Sequence, residues 1–262
     1  MSNKTQKNSR GLVLRTTNFS EADRFCSILT PELGLIDARA RGARRSRSGL
    51  MLGTEFLTLC DYQLFDYKGR YTINSADLVY TFPKVKADIE RLTCASHLAE
   101  LLQDLLLPDE ASGELYELMA RAMAALERDQ PEPLAVVHAC EIRLMRLSGY
   151  GLDLAHCAEC GRALPPDEAA CFDFERMGLV CPEHRPKPPT NAYRELAREA
   201  SSLDLSGATL AAIDWFSTAP LDRLFQFESQ EVLVSELGRF TRQYLAWNLD
   251  KYYTKLNMLN QF

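Results

Sequence analysis

Arg24-Phe25-Cys26-Ser27-Ile28-Leu29-Thr30-Pro31-Glu32-Leu33-Gly34-Leu35-Ile36-Asp37-Ala38-Arg39-Ala40-Arg41 reads as two strands joined by a turn. Arg24–Thr30 is rich in apolar and β-favouring residues, and Pro31-Glu32-Leu33-Gly34 has turn chemistry. Over residues 35–41 alternation is strict: Ile36, Ala38 and Ala40 fall on one face, Asp37, Arg39 and Arg41 on the other. Outward from this pair the pattern repeats. Leu12-Val13-Leu14 precedes it across polar residues 18–23, and Leu57–Phe65 and Tyr71–Ile73 follow, parted by a Lys68-Gly69 turn. About five short strands in about seventy residues predict a small barrel, and a five-stranded oligonucleotide-binding (OB) barrel fits the count, as SH3-like barrels also do.

After Phe82-Pro83 the period changes. Val85, Ile89, Leu92, Ala95, Ala99, Leu102 and Leu106 recur at helical spacing and predict one helix with a single apolar face. Ser112–Arg128 and Leu134–Leu147 predict two more, the second stopped at Gly149-Tyr150-Gly151. Residues 191–217 read as two short helices split near Ser206-Gly207, and Leu233, Leu237, Phe240, Tyr244 and Trp247 mark the core face of a long last helix. The expected architecture is a multidomain α+β chain. Residues 1–82 form an OB-type barrel and 83–262 a helical domain, interrupted at about 153–189 by an insertion.

That insertion holds four of the eight cysteines. Cys157-Ala158-Glu159-Cys160-Gly161 and Cys181-Pro182-Glu183-His184 are two tight knuckles, each with two residues between its metal-ligand types, at the spacing of a zinc ribbon. Three thiolates and one imidazole close a tetrahedral shell, so a structural Zn2+ is expected on Cys157, Cys160, Cys181 and His184. Cys171 and His156 are neighbouring substitutes, although the apolar run Cys171-Phe172-Asp173-Phe174 suits a core role better. No βαβ setting supports a redox C-x-x-C. Cys26, Cys60, Cys94 and Cys140 stand singly in apolar surroundings and read as buried hydrophobes.

Charge is divided unevenly. The net charge is −6, yet residues 1–50 hold ten Lys/Arg against four Asp/Glu, and the rest hold 20 against 32. Arg39, Arg41, Arg44, Arg45 and Arg47 crowd into nine residues, with no acid between Asp37 and Glu55, so no local partner is expected for them. Guanidinium forks suit phosphate oxygens, and this run is the candidate nucleic-acid-binding surface. Phe19, Phe25, Tyr62, Phe65, Tyr67 and Tyr71 are the aromatics available for stacking on bases, with a core role the alternative for most of them.

The chain lacks a P-loop, H-E-x-x-H, the zinc-deaminase pair H-x-E with P-C-x-x-C, and G-x-S-x-G. No nucleophile–base pair stands out, and no catalytic residue is expected. The polar N-terminus lacks the apolar run of a secretory signal and no stretch suits a membrane span, which predicts a cytoplasmic protein.

Three segments resemble the RecO family of bacterial recombination mediators. They are Ser20-Glu21-Ala22-Asp23-Arg24 with Ile28–Gly34; Ala40-Arg41-Gly42-Ala43-Arg44-Arg45-Ser46-Arg47-Ser48, similar to the family's A-K-G-A-R-R-x-K-S; and Leu147–Gly161 with the second knuckle. Order and spacing agree from about residue 10 to 185, and the helical segments after 190 match in character only. The resemblance implies an N-terminal OB barrel, a helical C-terminal domain and an inserted zinc ribbon. It also implies binding of single- and double-stranded DNA, annealing of complementary strands, and work with RecR (and RecF) to load RecA on DNA coated by single-strand-binding protein, at the nucleoid during repair. His184 departs from the fourth cysteine of many members. The other reading of the same residues is an OB-fold RNA-binding or ribosome-associated module with a structural zinc.

Overall fold

The computed structural model describes residues 5–106, 113–165, 168–186, 201–228 and 230–261. The chain divides into two compact units, Met1–Asp129 with Leu259–Phe262, and Gln130–Met258.

In the first unit β1 (Thr5–Asn18), β2 (Arg24–Thr30), β3 (Gly34–Ala40), β4 (Leu59–Tyr67) and β5 (Arg70–Tyr80) close a barrel in the order β1-β2-β3-β5-β4. Closure depends on β1, which pairs with β4 along Thr5–Leu12 and with β2 along Leu12–Asn18, both antiparallel. A register shift between Val13 and Arg15 accompanies this change of partner, and Gly11, Leu12, Val13 and Leu14 are all buried where plain alternation would bury half. Gly11 is needed for close approach: a Cβ there would stand 2.4 Å from Ile28 Cγ2. The β3–β5 contact is parallel and short, Ala38 against Tyr71 and Arg39 against Thr72. Val13, Cys26, Ile28, Ile36, Ala38, Ala40, Cys60, Tyr62, Leu64 and Ile73 fill the core. The Tyr62 hydroxyl donates to Gly53 O at 2.6 Å inside it, as a buried phenol must.

Three helices follow in the same unit, α1 (Pro83–Ala87), α2 (Ile89–Leu105) and α3 (Gly113–Leu126). The expected continuous helix from Val85 is broken at Asp88. Its extended backbone and side-chain oxygen cap α2, accepting the amides of Glu90 and Arg91. The break rotates the following turn, so Ile89, expected on the apolar face, is 67% exposed, while Thr93, Cys94, Ala95, His97, Leu98, Ala99, Leu101 and Leu102 are buried.

In the second unit α4 (Pro133–Leu147) is buried at every position from Ala135 to Met145, so neighbours surround it. Its polar residues are satisfied there: His138 Nδ1 lies 2.8 Å from Glu141 Oε2, and the Arg143 guanidinium donates to Phe216 O and Ala219 O. Strands β6 (Ala170–Asp173), β7 (Gly178–Val180) and β8 (Ser202–Leu205) form a sheet in the order β7-β6-β8, and helices α5 (Gly207–Thr218) and α6 (Glu231–Leu249) follow. Ser202–Leu205 had been expected in a helix. It alternates polar and apolar, and pairing with Ala170–Asp173 makes it a strand. The other half of that expectation, residues 191–200, lies outside the described residues. Phe172 on β6 meets Phe240 on α6 edge-on, with ring centroids 5.1 Å apart, which seats the sheet on the last helix. Among the described residues no helix is long and apolar enough to cross a membrane.

Candidate nucleic-acid interface and metal centre

The arginine run begins at the end of β3. Ile36, Ala38 and Ala40 point into the barrel, leaving Asp37 exposed and Arg39 half-exposed. Arg41 leaves the strand and Gly42, at φ +68, turns the chain as only glycine does without strain. Ala43 then drops fully into the core, and Arg44, Arg45 and Arg47 stay exposed around it. Backbone bonds from Arg45 to Gly42 O, Ser48 to Arg45 O and Met51 to Ser48 O wind the segment into successive turns. The arginines therefore project from an anchored turn, not a free loop.

Anchoring extends to the β1–β2 connection. Asp23 Oδ1 accepts the Gly42 amide at 2.8 Å, and Asp23 Oδ2 accepts Arg39 Nη2 at 2.6 Å and Nε at 3.1 Å. The Arg44 amide donates to Ala22 O at 3.0 Å, and its guanidinium to Ser20 O at 2.5 Å. First the Gly42 amide and then the Arg39 guanidinium hold the Asp23 carboxyl below its ordinary value. Arg24 also works internally, donating to Met51 O and Thr54 Oγ1.

The absence of partners expected for the whole run is thus corrected at Arg39, whose partner lies 16 residues back across the β2–β3 hairpin. Arg41, Arg44, Arg45 and Arg47 make no ion pair among the described residues. Their exposed guanidinium groups, held on one turn, form a cationic surface able to neutralise phosphates.

Of the six aromatics, Tyr62 is core, and Phe65 and Tyr71 are half-buried. Phe19 and Phe25 are 58% and 36% exposed, edge to face with centroids 4.9 Å apart, and the Arg39 guanidinium sits 5.3 Å from the Phe19 centroid. Sequence reasoning named both rings but missed Asp23, whose signal is an acid at the mouth of a strand opposite a basic one. At the β4–β5 hairpin Tyr67, Lys68 and Arg70 are also exposed, with Lys68 over the Tyr67 ring at 5.8 Å.

In the second unit the two knuckles converge. One ligand atom each from Cys157, Cys160, Cys181 and His184 lies within 4.8 Å of the others. Gly161, at φ +72, turns the first knuckle, and its amide donates to Cys157 O at 2.8 Å. The second is a single turn closed by the His184 amide on Cys181 O at 2.9 Å. The knuckles are registered by the Ala158 amide on Leu179 O and by the Cys181 amide on Cys157 Sγ at 3.4 Å. Burial disfavours the Cys157 thiolate, but backbone amides aimed at its sulfur outweigh this and lower its pKa. Cys160 Sγ and Cys181 Sγ are 4.0 Å apart, and Cys181 Sγ is 3.1 Å from His184 Nδ1. A tetrahedral zinc with bonds of about 2.3 Å to sulfur needs donor separations of about 3.8 Å, so this donor set fits. A disulfide, at about 2 Å, does not. Cys171 is buried in β6 beside the cluster and outside the donor set. His156 turns to Asp153 at 3.0 Å. Cys26, Cys60, Cys94 and Cys140 are all buried, as expected, and burial pushes the Cys26 thiol up to about 11.

Comparison with known proteins gives one consistent result. Residues 1–82 match the family described as Recombination protein O N terminal, and residues 86–257 the family described as Recombination protein O C terminal. The chain is 31% identical over 249 residues to the DNA repair protein RecO of Acetivibrio thermocellus, covering 95% of this chain and 94% of that one. It is 30% identical over 238 residues to the protein of that name from Anaeromyxobacter sp. strain K, covering 90% and 92%. The corresponding protein of Alkaliphilus metalliredigens is 24% identical over 243 residues, covering 93% and 94%.

Proposed function

From the premise that this chain belongs to the RecO family of DNA repair proteins, we propose that it is a non-catalytic DNA-binding mediator of recombinational repair. The barrel of residues 1–82, read as an OB fold, binds single- and double-stranded DNA through Arg39, Arg41, Arg44, Arg45 and Arg47. Residues 83–262 form a helical domain interrupted at about 153–189 by a zinc ribbon. The observation that carries this reading is the anchored turn, on which Arg41, Arg44, Arg45 and Arg47 are exposed and make no ion pair among the described residues. Annealing needs the repulsion between two phosphate backbones neutralised and no nucleotide hydrolysed, and a fixed cationic surface supplies that.

Zinc would be held by Cys157, Cys160, Cys181 and His184. It supplies folding free energy there and no open coordination position for chemistry. The partners proposed are RecR and single-strand-binding protein, with RecF and, indirectly, RecA, in the cytoplasm at the nucleoid. The test is annealing of complementary strands precoated with single-strand-binding protein. The full chain should accelerate pairing without ATP. No acceleration over strands alone, with oligonucleotide binding intact, would reject the mediator role.

A further inference from the structure

Phe19 and Phe25 have a placement that burial does not explain. Phe25 lies directly opposite Arg39 in the β2–β3 ladder, and Phe19 follows β1 at the start of the connection to β2. Both rings face solvent, in edge-to-face contact, at the border of the cationic turn. Their frame is fixed: the Phe19 amide donates to Asp23 O at 3.1 Å, Asp23 holds Arg39 and Gly42, and Arg44 closes on Ser20 O and Ala22 O. Two exposed phenyls in contact, one on the anchored connection and one on β2, are a costly arrangement in water unless something covers them.

The surrounding charge says what covers them. Arg39 and Arg44 contact this connection directly, and Arg41, Arg45 and Arg47 are exposed on the turn they belong to. Asp23 is engaged by Arg39 and Gly42, and Asp37 accepts from Ser27 at 2.6 Å, which leaves Glu21 as the free exposed acid of the connection. An apolar π surface inside a cationic rim fits a polyanion carrying aromatic faces. Only a single strand has its bases free to stack, because in a duplex the faces are already covered. The Arg39 guanidinium lies over the Phe19 ring and is itself held by Asp23, which stiffens the step.

Resting on the DNA-binding reading above, we propose that Phe19 and Phe25 form a base-stacking step that makes this barrel bind single-stranded DNA more tightly than duplex, the arginines supplying phosphate contacts common to both. Phosphate contacts release counterions and stacking does not, so the two contributions separate experimentally.

The experiment measures affinity of the full chain for a labelled oligothymidylate and for a hairpin duplex, over a range of salt concentrations. Variants are Phe19→Ala, Phe25→Ala, Phe19→Leu and the triple Arg44→Ala/Arg45→Ala/Arg47→Ala. Single-strand affinity should fall on the order of tenfold in each Phe→Ala variant. Duplex affinity and both salt slopes should stay unchanged. Phe19→Leu, which keeps apolar volume without a π face, should behave like Phe19→Ala while melting like the parent chain. A strand carrying 2-aminopurine should be quenched by the parent and not by Phe19→Ala. Equal loss on single strand and duplex would overturn the proposal, since the rings would then only hold the connection in place. Unchanged single-strand affinity would also overturn it, as would a loss confined to binding of a protein partner. The triple arginine variant keeps these results apart from the reading beneath them: if it too leaves both affinities intact, the DNA surface itself is elsewhere.

Discussion

Asp23 and Arg39 form a two-point ion pair, with carboxylate Oδ2 2.6 Å from Nη2 and 3.1 Å from Nε, while the other carboxylate oxygen accepts the Gly42 amide. One acid thus fixes both the last outward-facing arginine of β3 and the glycine that begins the cationic turn. A surface ion pair contributes little to global stability; its effect is on where the arginines point. Because the folded-state pKa of Asp23 is lowered, its contribution is complete above the ordinary carboxylate value. It is lost as pH falls through the lower, folded value. Protection of the Gly42 amide from exchange should therefore be flat through neutral and mildly acidic pH and collapse only in strong acid. Asp23→Asn should remove that acid step, and a collapse near pH 6 would contradict the assignment.

Replacing Arg44, Arg45 and Arg47 with alanine should weaken DNA binding alike on all sequences, because phosphate contacts carry no base information. The slope of log affinity against log salt should become shallower by about two units, at about 0.7 per single-strand contact. Annealing should fall with binding. The fold should survive, since all three side chains are exposed. An unchanged slope would shift attention to the exposed Arg239 and Arg242 of α6.

The purified chain should carry one equivalent of zinc. Cys160→Ser should release it and lower the melting temperature more than it lowers intrinsic DNA affinity. The reason is packing: β6 lies between β7 and β8 and puts Phe172 against Phe240, so loosening the knuckles loosens the seat of the last helix. Elemental analysis and thermal melting check this. A fully folded, metal-free protein would reject it, and release of metal by Cys171→Ser but not by His184→Ala would reject the ligand set.

Gly11→Ala should destabilise the barrel by about 1–3 kcal/mol, the usual cost of overpacking. The new Cβ would meet Ile28 Cγ2 at 2.4 Å, with Thr30 Cγ2 and Tyr62 Cδ2 also crowding it at 3.3 Å. Denaturant unfolding reads the loss, and pairing Gly11→Ala with Ile28→Ala, which removes Cγ2, should cost less than the sum of the two single losses.

What could be read from the sequence was local. Alternation over Ile36, Ala38 and Ala40 marked a strand and its inner face, and the two-residue gaps of Cys157/Cys160 and Cys181/His184 marked ligand types that converge. What could not be read depended on distant partners. Arg39 looked unpaired because its acid arrives through hairpin pairing. Ser202–Leu205 looked helical because the strand that claims it is Ala170–Asp173, some thirty residues earlier. Asp88 is a different case, a capping residue whose side chain ends one helix and starts another inside a continuous apolar period.

The barrel is a ring with a small clasp. Its other seams run for six or more pairs, but β3 and β5 meet at Ala38–Tyr71 and Arg39–Thr72 alone, in the slightly weaker parallel form. The residue at the clasp is also the one clamped by Asp23 beside the exposed rings. Any strand that grips Arg39 therefore fastens the ring as it binds, and occupancy and closure become linked quantities. DNA should raise the unfolding temperature of the barrel, and the amides of residues 38–39 and 71–72 should slow in exchange first.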